Sequence, residues 1–164
     1  MLFRSEEKYR ELQGTYPVIS LSFARIKERD YEKTKQKMCE VLRNIYIKFC
    51  YIKDSEKLTD ADRAYYERML EENIKETDAT SSLYQLSDFL YRYYGKKVII
   101  LLDEYDTPMQ EAFVDGYGDE LVAFTRSLFN STFKTNPALE RGIMTGITRV
   151  SKESVFSDLN NLKI

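Results

Sequence analysis

The sequence predicts an α/β fold, with a parallel sheet of about three strands flanked by helices. Three observations predict it. Apolar residues switch several times between short strand-like runs and a recurrence of three or four. One run, Val98-Ile99-Ile100-Leu101-Leu102, is continuous rather than alternating, which suits a strand covered on both faces of a parallel sheet. Strands separated by helices, finally, imply right-handed crossovers between parallel neighbours.

Gly14-Thr15 signals a turn, and Tyr16–Phe23 then reads as a strand rich in β-branched and aromatic residues. Its Pro17 stands near the start, where a missing N–H is tolerated. From Asp30, a candidate N-cap, Tyr31, Thr34, Met38, Leu42, Ile45, Phe49 and Ile52 recur at helical spacing. The pattern predicts one long helix to about Lys53. Thr59-Asp60-Ala61-Asp62 caps a second, to Ile74 or Lys75. Asp78 to Ser82 reads as a polar break, with Ser81 or Ser82 capping a third helix that Gly95 stops. After the Val98–Leu102 strand come a helix over 119–133, a strand over 141–148 and a short helix from Ser151 to Leu159. The order predicts a single domain, or part of one, over residues 1–164.

Composition narrows the function. The 25 Lys and Arg against 27 Asp and Glu leave no basic stripe for phosphate-driven nucleic-acid binding. Apolar runs of five residues fall far short of the roughly 20 that a membrane span needs, and Met1–Arg10 lacks the apolar stretch of a signal peptide. The expected location is the cytoplasm. Histidine is absent, which removes Ser-His-Asp triads, Cys-His dyads and His-ligated zinc. Cys39 and Cys50 fall on one predicted helix, about 16 Å apart along its axis, too far for a disulfide. Both are expected in the core. Of the thirteen tyrosines, eight (Tyr31, Tyr46, Tyr51, Tyr65, Tyr66, Tyr91, Tyr93 and Tyr94) fall on or beside predicted helices, where aromatic residues at this spacing usually build the core.

In an open α/β sheet, ligands bind beyond the carboxyl ends of the strands. The Val98–Leu102 strand ends in Asp103-Glu104-Tyr105-Asp106, a concentration of acid that a hydrated Mg²⁺ with nucleotide phosphates would neutralise. An apolar strand ending in Asp-Glu is the Walker B pattern, in which the Asp holds Mg²⁺ through water and the Glu orients or deprotonates the attacking water. The same ending also arises wherever a buried strand meets solvent. An Asp-x-Asp-x-Thr phosphatase is disfavoured because Asp103 and Asp106 stand one residue too far apart. A metal-dependent nuclease lacks its Lys on a predicted strand. At the end of the next strand, Thr148-Arg149 stands where a nucleotide hydrolase reads the γ-phosphate. An ion pair of Arg149 with Asp106 or Asp158 is the alternative.

Tyr16–Phe23, the Lys97–Pro108 block with Asp-Glu-Tyr-Asp, and Thr145–Leu162 with Arg-Val-Ser-Lys-Glu-Ser-Val-Phe together resemble the bacterial AAA-ATPase-like family over nearly the whole chain. The resemblance implies a P-loop ATPase of three layers that uses Mg²⁺ and ATP, often fused to a nuclease-like C-terminal domain. It would make Asp103 the Mg²⁺-associated residue, Glu104 the water-activating base, and Thr148 and Arg149 the nucleotide-reading pair. Asp106 belongs to the same block without an implied role. The sequence departs from the family at the phosphate loop: no Gly-x-x-x-x-Gly-Lys-Ser/Thr occurs in it. The expectation is therefore an internal part of a longer ATPase, inactive alone. Its strands would lie in sequence order, the last leaving an apolar edge open to strand addition or self-association. A non-catalytic α/β interaction module and a metal-dependent phosphohydrolase stand as the other readings.

Overall fold

Residues 13–147 are described by a computed structural model. Strand β1 (Val18–Ser22) leads to helix α1 (Tyr31–Lys48), which Asp30 caps by accepting the Lys33 amide at 2.9 Å. Met38, Leu42, Ile45 and Tyr46 form its buried stripe. The expected single helix to Lys53 divides. Phe49 leaves helical backbone geometry, and Cys50–Ile52 makes one 3₁₀ turn. That division corrects the expectation for the cysteines: Cys39 is buried, whereas Cys50 is exposed and Ile52 takes the inward position. A turn of three residues rather than 3.6 changes which side chain faces the core.

Helix α2 (Asp60–Leu70) starts at the predicted Thr59, in a reciprocal capping box with Asp62. It ends at Leu70, earlier than the pattern suggested. Helix α3 (Glu76–Tyr94) starts earlier than expected, and the polar stretch read as a break lies within its first turns. The hydroxyls there donate back to the helix: Thr80 to the Glu76 carbonyl, Ser81 to Thr77 and Ser82 to Ala79. Gly95, with a φ of 67°, ends it as predicted.

Arg92 on α3 reaches back to the Asp62 carboxylate at 2.9 Å. Partial burial of Asp62 opposes its ionisation, but Arg92 together with the Thr59 amide and hydroxyl outweighs it and holds the carboxyl below its ordinary value. The contribution to stability is complete above the unfolded pKa of about 3.9 and is lost as pH falls through the lower folded value. Asp62→Asn is expected to cost about 1 kcal/mol at pH 7. Urea unfolding at pH 7 and at pH 3 should show the difference from wild type shrinking in acid.

Strand β2 (Val98–Asp103) is central in the sheet, between β1 and β3 (Leu139–Met144), and both pairings are parallel. Helices α4 (Thr107–Asp115) and α5 (Gly118–Phe129), followed by a π turn over Asn130–Lys134, connect β2 to β3. The helix over 107–115 has no counterpart in the apolar pattern, although Pro108 in its first turn and Gly116 at its end mark one. The third strand runs 139–144 rather than 141–148. The expected helix from Ser151 to Leu159 lies outside the described residues.

Register divides the sheet into two unlike faces. Ile19, Leu21, Val98, Ile100 and Leu102 are buried beneath the helices in one continuous core. On the other face Val18 and Ile143 are exposed, and Ile99 and Leu101 are half-buried. The central run was expected to be covered on both faces. Among the described residues, helices pack its inner face alone. No helix of the described residues is long and apolar enough to cross a membrane.

Candidate functional site at the strand ends

Parallel pairing places the carboxyl ends of all three strands on one rim. Ser22 pairs with Asp103, and Leu102 with Met144, so the residues after β2 and β3 emerge side by side. The Thr145 amide donates to the Leu102 carbonyl at 2.9 Å, and the Tyr105 amide to the Thr145 carbonyl at 3.1 Å. These two bonds carry the ladder past the end of β3 and tie the following segment to the acidic turn.

Side chains complete the tie. The Thr145 hydroxyl donates to Asp103 Oδ1. Its oxygen accepts the Glu104 amide at 3.4 Å. One hydroxyl thus touches both residues of the Asp-Glu pair. Asp103 is exposed, Glu104 is half-buried, and Asp106 is fully buried. The three carboxylates therefore do not share one site. Glu104 accepts the Thr107 hydroxyl at 3.0 Å. Asp106 turns inward, where its Oδ2 accepts the Gln110 side-chain amide and the Ile147 backbone amide, each at 2.9 Å. Burial, followed by the Asp106 charge, raises the Tyr105 phenol above its ordinary pKa.

Glu104 has a φ of 48°, in the left-handed region that side chains with a Cβ avoid. Such conformations occur where surrounding structure over-determines them, and cluster at functional sites. Replacing Glu104 by Gly and by Ala removes the same carboxylate, but only Gly relieves the backbone. The Gly variant is expected to be more stable than the Ala variant by about 1 kcal/mol. Paired urea midpoints measure it, and equal midpoints would deny the strain.

Among the described residues, no group of three or more Asp, Glu or Cys side chains is arranged to hold a metal. A carboxylate beside a hydroxyl at an exposed strand end instead fits a hydrated Mg²⁺, which keeps most of its water and takes one or two protein oxygens. Asp103 and Thr145 form such a carboxylate–hydroxyl pair at the ends of β2 and β3. Thr148 and Arg149 lie outside the described residues.

The family model described as predicted AAA-ATPase matches residues 1–156. The chain belongs to the AAA-ATPase-like family. No curated protein and no solved structure matches it. In this AAA-ATPase-like chain, sequence reasoning found Asp103 and Glu104 but passed over Thr145. The sign was present in the sequence: a lone hydroxyl residue between the apolar Ile143-Met144 and Gly146. The apolar pattern runs on through Ile147 and puts the expected strand end at Thr148, four residues past the observed end at Met144.

Proposed function

We propose that this chain is the Walker B-bearing part of an AAA-type ATPase, with the ends of β2 and β3 facing Mg²⁺-bound ATP. The observation that carries this reading is the Thr145 hydroxyl, bonded to the Asp103 carboxylate and to the backbone of Glu104. Mg²⁺, when bound, supplies positive charge to the phosphate oxygens. Asp103 would hold it through water, its carboxylate oriented by the Thr145 hydroxyl. Glu104, with one carboxylate oxygen fixed by Thr107, orients the attacking water and takes its proton. Thr148 and Arg149, three and four residues beyond Thr145, are proposed to read the γ-phosphate, with Arg149 stabilising the charge of the transferring group.

The phosphate cradle, in this reading, comes from a segment outside these 164 residues. It would add a strand to the edge of β3, which among the described residues pairs with β2 alone and where Arg141 to Ile143 are exposed. A nuclease-like domain is a further proposed part of the parent protein. The half-covered outer face of the sheet favours a second reading, a non-catalytic interaction module. The two separate at Asp103.

Calorimetric titration of Mg-ATP makes the test. The 164-residue chain is joined to the phosphate-loop strand of a family relative and titrated with and without EDTA. Binding in the micromolar range, lost with EDTA and weakened about tenfold or more by Asp103→Ala, is the expected result. Affinity unchanged by Asp103→Ala would favour the interaction module.

A further inference from the structure

Asp106 presents a contradiction. It occupies the N-cap of α4, where an Asp side chain ordinarily accepts an amide of the first turn, yet no such bond forms. Its carboxylate is instead fully buried and joins α4, through Gln110, to the segment after β3, through the Ile147 amide. Burying a polar side chain and forgoing a cap are both unfavourable unless hydrogen bonds compensate, and here Gln110 and Ile147 supply them.

Gly146 shows how closely it is held. A Cβ at Gly146 would lie 2.5 Å from Asp106 Oδ1 and 2.8 Å from the Tyr105 ring. Only glycine lets the backbone pass this near the carboxylate. The neighbour on one side of Gly146 is Thr145, whose hydroxyl touches Asp103 and Glu104. On the other side is Ile147, whose amide Asp106 binds.

We infer that Asp106 is a positioning residue: its carboxylate clasps the Thr145–Ile147 segment over Gly146, and so keeps the Thr145 hydroxyl seated between Asp103 and Glu104. Its importance for catalysis rests on the ATPase reading, while the clasp itself is a property of this chain. Pulling Thr145 away would release the Asp103 carboxylate from its orientation and the Glu104 amide from its partner. The buried acid of the Asp-Glu-Tyr-Asp block then acts through its neighbours and not on substrate.

Amide hydrogen exchange, read residue by residue by NMR on the 164-residue chain without nucleotide, tests the clasp. Asp106→Ala and Gly146→Ala are each expected to speed exchange at Glu104, Tyr105 and Ile147 by about tenfold or more, leaving Ile100 and Leu86 within about twofold. Asp106→Asn, which keeps an acceptor oxygen for Ile147, should restore most of the protection. Unchanged exchange at Ile147 in Asp106→Ala would overturn the clasp, as would equal acceleration at Ile100 and Leu86, which would mark a merely structural role. If Asp106→Ala does not fold, Gly146→Ala and Asp106→Asn decide by the same criteria. No nucleotide enters the measurement. Failure of the clasp is therefore distinct from failure of the ATPase reading, which appears in the calorimetry.

Discussion

Glu104→Gln, in the chain joined to its phosphate loop, is expected to lower kcat by about 10²–10⁴-fold, the range a positioned general base supplies. Affinity for Mg-ATP should change by no more than about threefold, because the substitution touches the transition state rather than ground-state binding. Glutamine has the same shape as glutamate. Its amide oxygen can still accept the Thr107 hydroxyl, and the left-handed backbone at this position is no more strained than before. What it loses is the ability to take a proton from water. Phosphate release at saturating ATP, beside equilibrium binding, separates the two effects. A full rate in the variant would remove Glu104 from the chemistry, and weakened binding with intact turnover would recast it as a ligand-holding group.

The second large effect concerns stability. Phe89→Ala is expected to cost about 3–5 kcal/mol, a large part of the 5–15 kcal/mol typical of a domain. Phe89 is fully buried on α3, with its ring 6.2 Å from Tyr65 and 6.0 Å from Tyr66. Tyr66 in turn meets Tyr46 edge-on at 4.8 Å, and Tyr46 also packs on Tyr65 at 6.5 Å, so that α1 backs the two α2 rings that touch Phe89. The polar ends are already committed: Tyr46 donates to the Ser82 carbonyl, Tyr66 to the Tyr46 carbonyl and Tyr65 to the Asp78 carbonyl. Rings held at both ends cannot move in to fill a cavity, which places the loss toward the upper part of the range. Urea unfolding followed by circular dichroism measures it. A loss below about 1.5 kcal/mol would mean that the cluster repacks freely.

That aromatic core shows what the sequence could and could not disclose. Helical spacing of tyrosines pointed to the core, and Tyr46 and Tyr66 are buried there, whereas Tyr51, Tyr91 and Tyr94 are exposed at the same kind of spacing. Periodicity gives a face, but a 3₁₀ turn such as Cys50–Ile52 changes the face locally, and Tyr51 and Cys50 turn outward with it. The capped starts at Asp30 and Thr59 and the stop at Gly95 were legible because each carries its own local chemistry. The start of α3 was not, since Thr80, Ser81 and Ser82 read as a turn until their hydroxyls have helix carbonyls to bond.

The candidate site divides along the same line. Asp103 and Glu104 could be found from the sequence, because a buried apolar strand ending in acid places them at the rim by its register alone. Thr145 carries only a weak sign, a hydroxyl residue after an apolar run, since its significance depends on where β3 stops beside β2, and strand ends are set by pairing. Asp106 was visible as a third acid of the cluster. Its burial reverses that impression, for it turns away from Asp103 and Glu104 toward Gln110 and Ile147.

The central claim is that Mg-ATP meets this chain at the carboxyl ends of β2 and β3. Mn²⁺ in place of Mg²⁺, added with ATP to the isotope-labelled chain joined to its phosphate loop, broadens the NMR signals of amides near the metal. The account predicts selective loss of the Asp103, Glu104 and Thr145 signals, with Val18 and Val98, about 13 and about 16 Å along the strands from Asp103, retained. The other end of the sheet offers a contrast, a cleft of about 320 Å³ lined by Tyr16, Tyr94 and Lys96. Broadening centred on that cleft, with the Asp103 signal intact, would contradict the account.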